Sequence, residues 1–118
     1  MDWPAAIDAA REVDIETRRG ADAPAHRTTI WAVVDDGEVY VRSLRGASGR
    51  WYRELIAGPE AVLHVAGNGF RVRAVPAADP ESVQRASDAL RRKYSDSRSL
   101  DSMLASDILD TTVRLEPR

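Results

Sequence analysis

Residues 28–52 read TTIWAVVDDGEVYVRSLRGASGRWY, and they decide the fold because two strands, the turn between them and the start of a helix all lie within them. Thr28 to Asp35 is almost wholly β-branched and aromatic, with Ile30, Trp31, Val33 and Val34 apolar on both alternating faces. A central strand buried on both sides is expected. Asp36-Gly37 supplies the two positive-φ positions of a type I′ turn, and Glu38 to Leu44 returns as a second strand with Val39 and Val41 on one face. Ser43 to Gly49 breaks that strand, and helical spacing begins at Arg50-Trp51-Tyr52, with Trp51, Leu55 and Ile56 apolar. A glycine-containing turn between a strand and a helix can present backbone N–H groups to an anion.

Working toward the N-terminus, Arg19 to Arg27 (RGADAPAHR) mixes glycine, proline and charge without periodicity and is expected to be a surface loop. Before it, Val13, Ile15 and Thr17 alternate with Asp14, Glu16 and Arg18 as a half-buried strand, and Trp3 to Glu12 has the alanines and early proline of a short leading helix. Toward the C-terminus, the helix from Arg50 ends near Ala57, before Gly58-Pro59. Ala61 to Ala66 and Phe70 to Val75 form a second hairpin around Gly67-Asn68-Gly69. Asp79-Pro80-Glu81 then opens a helix to about Tyr94, with Val83, Ala86, Leu90 and Tyr94 as its buried stripe and Arg85, Asp88, Arg91 and Arg92 facing water. After a polar linker, Leu100, Met103, Leu104 and Ile108 have helical spacing, and Thr111 to Leu115 resumes strand alternation.

The 118 residues suit one domain, residues 1–118, with 43% hydrophobic and 31% charged content. Six strands with apolar alternation on one face and strand-breaking connections point to a mainly β fold, a six-stranded antiparallel barrel with helices, because closure removes exposed edges; an open α+β sheet is the alternative. Seventeen basic residues against 19 acidic ones give a net charge of −2, which argues against nucleic acid as a partner even with Arg42, Arg71 and Arg73 available. Cysteine is absent. That removes disulfides, thiolate nucleophiles and cysteine metal sites. The N-terminus, Met1-Asp2-Trp3-Pro4, lacks the basic and apolar regions of a secretory signal, and no apolar run approaches ~20 residues. A cytoplasmic protein with no membrane association is expected.

The stretches Glu12 to Arg19, Tyr40-Val41-Arg42-Ser43, Arg45-Gly46, Gly49-Arg50-Trp51-Tyr52, Lys93-Tyr94 and Thr112 to Pro117, together with Trp31, resemble the bacterial domain of unknown function family 2255. More broadly, the order of elements resembles the split β-barrel proteins that bind flavin mononucleotide or deazaflavin. The resemblance implies a split barrel with a flavin-type ligand site and a homodimer with Trp31 or Tyr40 near its interface. It also implies a nitroreductase-like oxidoreductase whose cofactor performs hydride transfer. Thr17, Arg19-Gly20, Gly46 and Trp51-Tyr52 fall in the order seen in deazaflavin-dependent nitroreductases. Where those proteins carry a lysine-serine pair this chain has Ala21-Asp22, and an acid there repels phosphate. Flavin mononucleotide is therefore expected ahead of the long-tailed deazaflavin coenzyme. Loss of the pair equally suits a non-catalytic small-molecule-binding or interaction module without a cofactor.

The candidate ligand residues follow. Ser43, Arg45, Gly46, Ser48 and Arg50 can hold a phosphate through guanidinium forks and backbone donors, against the plainer reading of a solvated turn. Trp51 and Tyr52 can flank a flavin ring, although Trp51 equally well packs its helix onto the barrel. Arg19 and Arg27 border the loop and can close over a ligand. His26 and His64 are too few for a histidine-rich metal site, and no metal is expected.

Overall fold

In the computed structural model, which describes residues 2–118, the segment 28–35 is two strands meeting at Trp31 instead of one central strand. Its first half belongs to β2 (Ala25–Ile30), which lies antiparallel to β1 (Val13–Arg18) with Val13 opposite Ile30. Its second half is β3 (Ala32–Asp35), paired with β4 (Glu38–Val41). Together with β5 (Glu60–Val65), β6 (Asn68–Pro76) and β7 (Val113–Pro117), they make a seven-stranded antiparallel sheet in the order β2-β1-β5-β6-β7-β4-β3. The first and last strands of that order are successive pieces of one segment. The sheet therefore curls until its ends meet at Trp31, where the covalent chain, and not a hydrogen-bonded ladder, joins them. This is a split β-barrel with seven strands in place of the six expected.

The apolar run at 32–34 is buried on both sides for a reason other than a central position. Ala32 faces the barrel interior with Ile15, Leu63, Val72 and Leu115, while Val33 turns outward into a second cluster. There it packs with Tyr40 and the long helix α3 (Pro80–Lys93). Alternation reported burial correctly but could not distinguish a strand flanked by strands from one covered by a helix.

Other boundaries move for local reasons. The leading helix α1 (Trp3–Ala9) stops short of Glu12, and Asp2 caps it by accepting from the Ala5 N–H at 3.3 Å. The Arg19–Arg27 loop is shorter than expected because Ala25, His26 and Arg27 already pair with β1. In the second hairpin the turn falls on Ala66-Gly67, with φ of 50° and 83°, so Asn68 and Gly69 belong to β6. The Asp36-Gly37 turn has φ of 49° and 76°, as expected of type I′. Helix α2 (Arg50–Ala57) begins and ends where the sequence places it, and α3 starts from Asp79, which accepts from the Ser82 N–H at 3.1 Å. The short α4 (Leu100–Met103) precedes a 3-10 helix at Ser106–Thr111.

Helix α3 buries Ala86, Leu90 and Tyr94 as expected, whereas Val83 is half-buried. Arg85 does not simply face water: its Nε donates to Asp35 Oδ2 at 2.7 Å, and Arg92 Nη2 donates to Oδ1 at 3.1 Å. These bonds tie the β3–β4 hairpin to α3. The Arg85 hydrogen bond, with help from Arg92, holds the Asp35 carboxyl below the usual carboxylate range. A carboxylate depressed in the folded state adds stability above its unfolded pKa and loses it as the pH falls through the folded one. The difference in melting temperature between the parent and Asp35→Asn is thus expected to be largest near neutrality and to shrink from about pH 5 toward about pH 2. Thermal melts across that window check it. A constant difference would assign the effect to something other than charge.

Candidate functional site

The turn after β4 is held from below. Ser43 donates its N–H to Thr111 Oγ1 at 3.0 Å and its hydroxyl to the Gly46 carbonyl at 2.7 Å. Gly46 has φ +64°, and a Cβ there would come 3.4 Å from Ile108 Cγ2. Gly49 is needed for another reason: a Cβ would lie 2.6 Å from the Ser43 hydroxyl oxygen, so only a bare backbone can pass. These contacts leave Leu44, Arg45, Ala47, Ser48 and Arg50 exposed around a fixed backbone.

A cleft of about 580 Å³ opens where the barrel splits, within the ~300–1,000 Å³ usual for small-ligand sites. One wall is the bend itself, Thr28 to Trp31; the other is Arg42 to Arg45 with Gly49 to Trp51, and Glu12, Ser99 and Met103 complete the lining. Ser43, Arg45, Arg50 and Trp51 are thereby brought together as expected. Gly46, Ser48 and Tyr52 are not on the lining. Gly46 packs under the turn, the Ser48 hydroxyl donates to the Arg45 carbonyl at 2.9 Å, and Tyr52 is half-buried edge-on to Trp51. Arg19 sits in a separate hollow beside α2, and Arg27 pairs with Asp14 at 3.4 Å on the outside of the sheet. The expected closing of Arg19 and Arg27 together over one ligand does not fit this placement.

Arg45 and Arg50 make no ion pair or side-chain hydrogen bond among the described residues. Their charge is therefore available to a ligand. Trp51 is both packing residue and wall, since it is buried in the barrel core yet lines the cleft. Trp31 lies flat on Tyr94, with centroids 3.8 Å apart and planes 5° from parallel. That stack fixes the bend and presents the indole to the cleft. Tyr94 in turn donates its hydroxyl to the Arg11 carbonyl at 2.8 Å, and burial pushes the phenol up to about 12. Tyr40, expected near a dimer interface, is instead buried inside the chain against α3.

Arg42 is the residue that sequence reasoning misplaced most. Grouped with Arg71 and Arg73 as a surface cation, it is only 3% exposed and forms part of the cleft lining. Its Nε donates to Thr112 Oγ1 at 2.8 Å, Nη1 to the Met103 carbonyl at 3.0 Å and Nη2 to the Val83 carbonyl at 3.2 Å. Burial pushes the guanidinium down to about 10, so it remains charged at neutrality. All its partners are neutral. A buried, uncompensated positive charge thus stands at the cleft, and nothing in the local pattern TyrValArgSer separates it from an exposed arginine. Among the described residues no group of three or more His, Cys, Asp or Glu could hold a metal, and no helix is long and apolar enough to cross a membrane.

A curled antiparallel sheet closed by its own bent strand, with helices over its outer face and a cationic cleft at the bend, defines the chain as a split β-barrel protein. It belongs to the family described as "Uncharacterized protein conserved in bacteria (DUF2255)", whose family model matches residues 5–115. Among the solved structures that share its fold are the following three. The conserved hypothetical protein Rv2991 from Mycobacterium tuberculosis is 19% identical, with 99% of this chain and 79% of that one covered at a TM-score of 0.71. A proposed pyridoxamine 5′-phosphate oxidase from Listeria innocua is 11% identical, with 97% and 89% covered at 0.68. The heme storage protein HutZ from Vibrio cholerae is 14% identical, with 99% and 88% covered at 0.71. At these identities the likeness is one of fold. No curated protein matches the sequence.

Proposed function

We propose that the cleft binds a small phosphorylated ring ligand, flavin mononucleotide before the long-tailed deazaflavin coenzyme, and that the protein is a flavin-dependent oxidoreductase of nitroreductase-like type. The observation that carries this reading is the pair of unpartnered guanidinium groups, Arg45 and Arg50, at the mouth of a cleft walled by Trp31 and Trp51. Those residues fit the group: the two arginines suit a phosphate, the indoles suit a planar ring, and Arg42 favours negative charge in the cleft. When bound, a flavin supplies hydride transfer. This chain's own part is then to hold the phosphate, orient the ring and keep water from it. Related folds supply support in the form of one protein named for pyridoxamine 5′-phosphate oxidation and another for heme storage.

Titrating flavin mononucleotide and deazaflavin coenzyme separately against intrinsic tryptophan fluorescence tests the proposal, because two of the three tryptophans line the cleft. Saturable quenching by the flavin at lower concentration than by the deazaflavin is expected; the reverse order overturns the ranking, and silence from both overturns the reading. A non-catalytic binding module on the same fold is the second reading, favoured by the exposed Asp22 in the β1–β2 loop where deazaflavin enzymes carry lysine-serine. Bound flavin that accepts no hydride from any nicotinamide donor would select it.

The proposal includes a homodimer. Leu44, 55% exposed at the cleft mouth, and half-buried Trp31 offer apolar surface for pairing. Light scattering should give a mass near twice the 13.0 kDa of one chain. A monomer at high micromolar concentration would rule pairing out.

A further inference from the structure

On the far side of Arg50 from the cleft lies a second hollow, of about 400 Å³, and we propose that it binds a phosphoryl dianion between Arg19, Arg50, Arg53 and His26. Arg50, Arg53, Glu54 and Ala57 have the spacing of one helix face on α2. The β1–β2 loop and the start of β2 bring Arg19, Ala23, Pro24 and His26 against that face. Arg19, Arg50 and Arg53 make no ion pair or side-chain hydrogen bond among the described residues. Three like charges around one hollow repel one another, and an anion of matching valence relieves that repulsion. Guanidinium forks fit phosphoryl oxygens in pairs, and the small apolar residues Ala23, Pro24 and Ala57 leave room for a compact group.

Glu54 is the one carboxylate lining the hollow, and its two oxygens face Thr17 and His26. It is 9% exposed; Oε1 accepts from the Thr17 hydroxyl at 2.8 Å, and Oε2 lies 3.3 Å from His26 Nδ1. Nδ1 is shut off from solvent without a hydrogen bond, although the side chain as a whole is 36% exposed. Glu54 therefore sets the ring. Protonated His26 directs one N–H toward Glu54 and leaves the other for the anion. The charged groups around the ring are Glu54, Arg50 and Arg53 from α2 and Arg19 from the loop, with the Thr17 hydroxyl reaching Glu54 from β1.

Because the chain has two histidines, imidazole NMR reads this site directly, with His64 on the outer sheet as the internal control and His64→Gln for assignment. Inorganic phosphate is the first probe; sulfate is the second, since its charge is constant over the ~pH 5–8 range in which imidazoles titrate. Either anion should move the His26 resonance saturably with its concentration and leave the His64 resonance in place. Arg53→Ala should weaken phosphate more than tenfold, whereas Arg73→Ala, exposed on β6 away from both cavities, should leave it unchanged. A His26 that neither anion moves, or an Arg53→Ala protein that binds phosphate like the parent, overturns the proposal. The same Arg53→Ala protein, titrated with flavin mononucleotide, separates the sources. Weaker flavin binding means the phosphoryl group belongs to a ligand reaching from the cleft across Arg50, and unchanged flavin binding means the hollow takes a separate phosphate. Phosphate binding here stands or falls independently of flavin binding in the cleft.

Discussion

Replacing Arg42 with alanine is expected to destabilise the protein by about 2–4 kcal/mol, because neutral acceptors lose a buried donor at about 1–3 kcal/mol each while the cost of burying an unpaired charge is relieved. Arg42 leaves the end of β4 and reaches three elements that no strand pairing joins to each other at that point: α3 through the Val83 carbonyl, α4 through the Met103 carbonyl and the approach to β7 through Thr112. Truncation leaves those acceptors without a donor in a place water reaches poorly, and opens a void next to the cleft. Thr112 cannot compensate, because its hydroxyl proton is already given to the Leu109 carbonyl at 2.7 Å. Arg42→Lys keeps the charge but not the fork, so it should recover only part of the loss. Chemical denaturation of the three proteins measures this. A cost below about 1 kcal/mol for alanine would mean that the three bonds only offset the desolvation of the guanidinium.

The second large effect is expected in binding instead of stability. Arg45→Ala with Arg50→Ala removes two charge-assisted contacts, each worth about 1.5–3 kcal/mol if made to a phosphate. Affinity for flavin mononucleotide should fall more than tenfold, and by roughly 10²–10⁴-fold where both contacts are made in full. The melting temperature should hardly change, because both side chains are exposed and neither has a partner in the fold. Fluorescence titration and thermal melts on one preparation separate the two quantities. If the double variant melts and binds like the parent, the phosphate is held by neither Arg45 nor Arg50. If the double variant loses affinity, Arg45→Ala alone tells which cavity is responsible, since Arg50 borders both and Arg45 only the cleft.

Periodicity and turn chemistry belong to short stretches of chain, and at that range the sequence was decisive. The Asp36-Gly37 turn, the Asp79 cap, the Arg50–Ala57 helix and the alternation of β1 and β7 each depend on neighbours a few residues away. They were readable for that reason. The family resemblance then supplied the split barrel, and four of the nine expected ligand residues line one cleft. What the sequence could not supply is the identity of the neighbour across space. Thr28 to Asp35 reads as one strand because its β-branched and aromatic residues prefer extended backbone; only the stack of Trp31 on Tyr94, 63 positions later, shows where that strand bends and the barrel splits. Arg42 and Arg45 are the same residue type three positions apart. One is buried by Val83, Met103 and Thr112, and the other is left free, because α3, α4 and β7 converge over the first and not the second. His26 and Glu54 are likewise unremarkable in sequence, and become a pair only because β2 and α2 enclose a common hollow. Local preference is set by a residue's own covalent geometry, whereas burial and charge pairing are set by long-range packing, which no window of sequence contains.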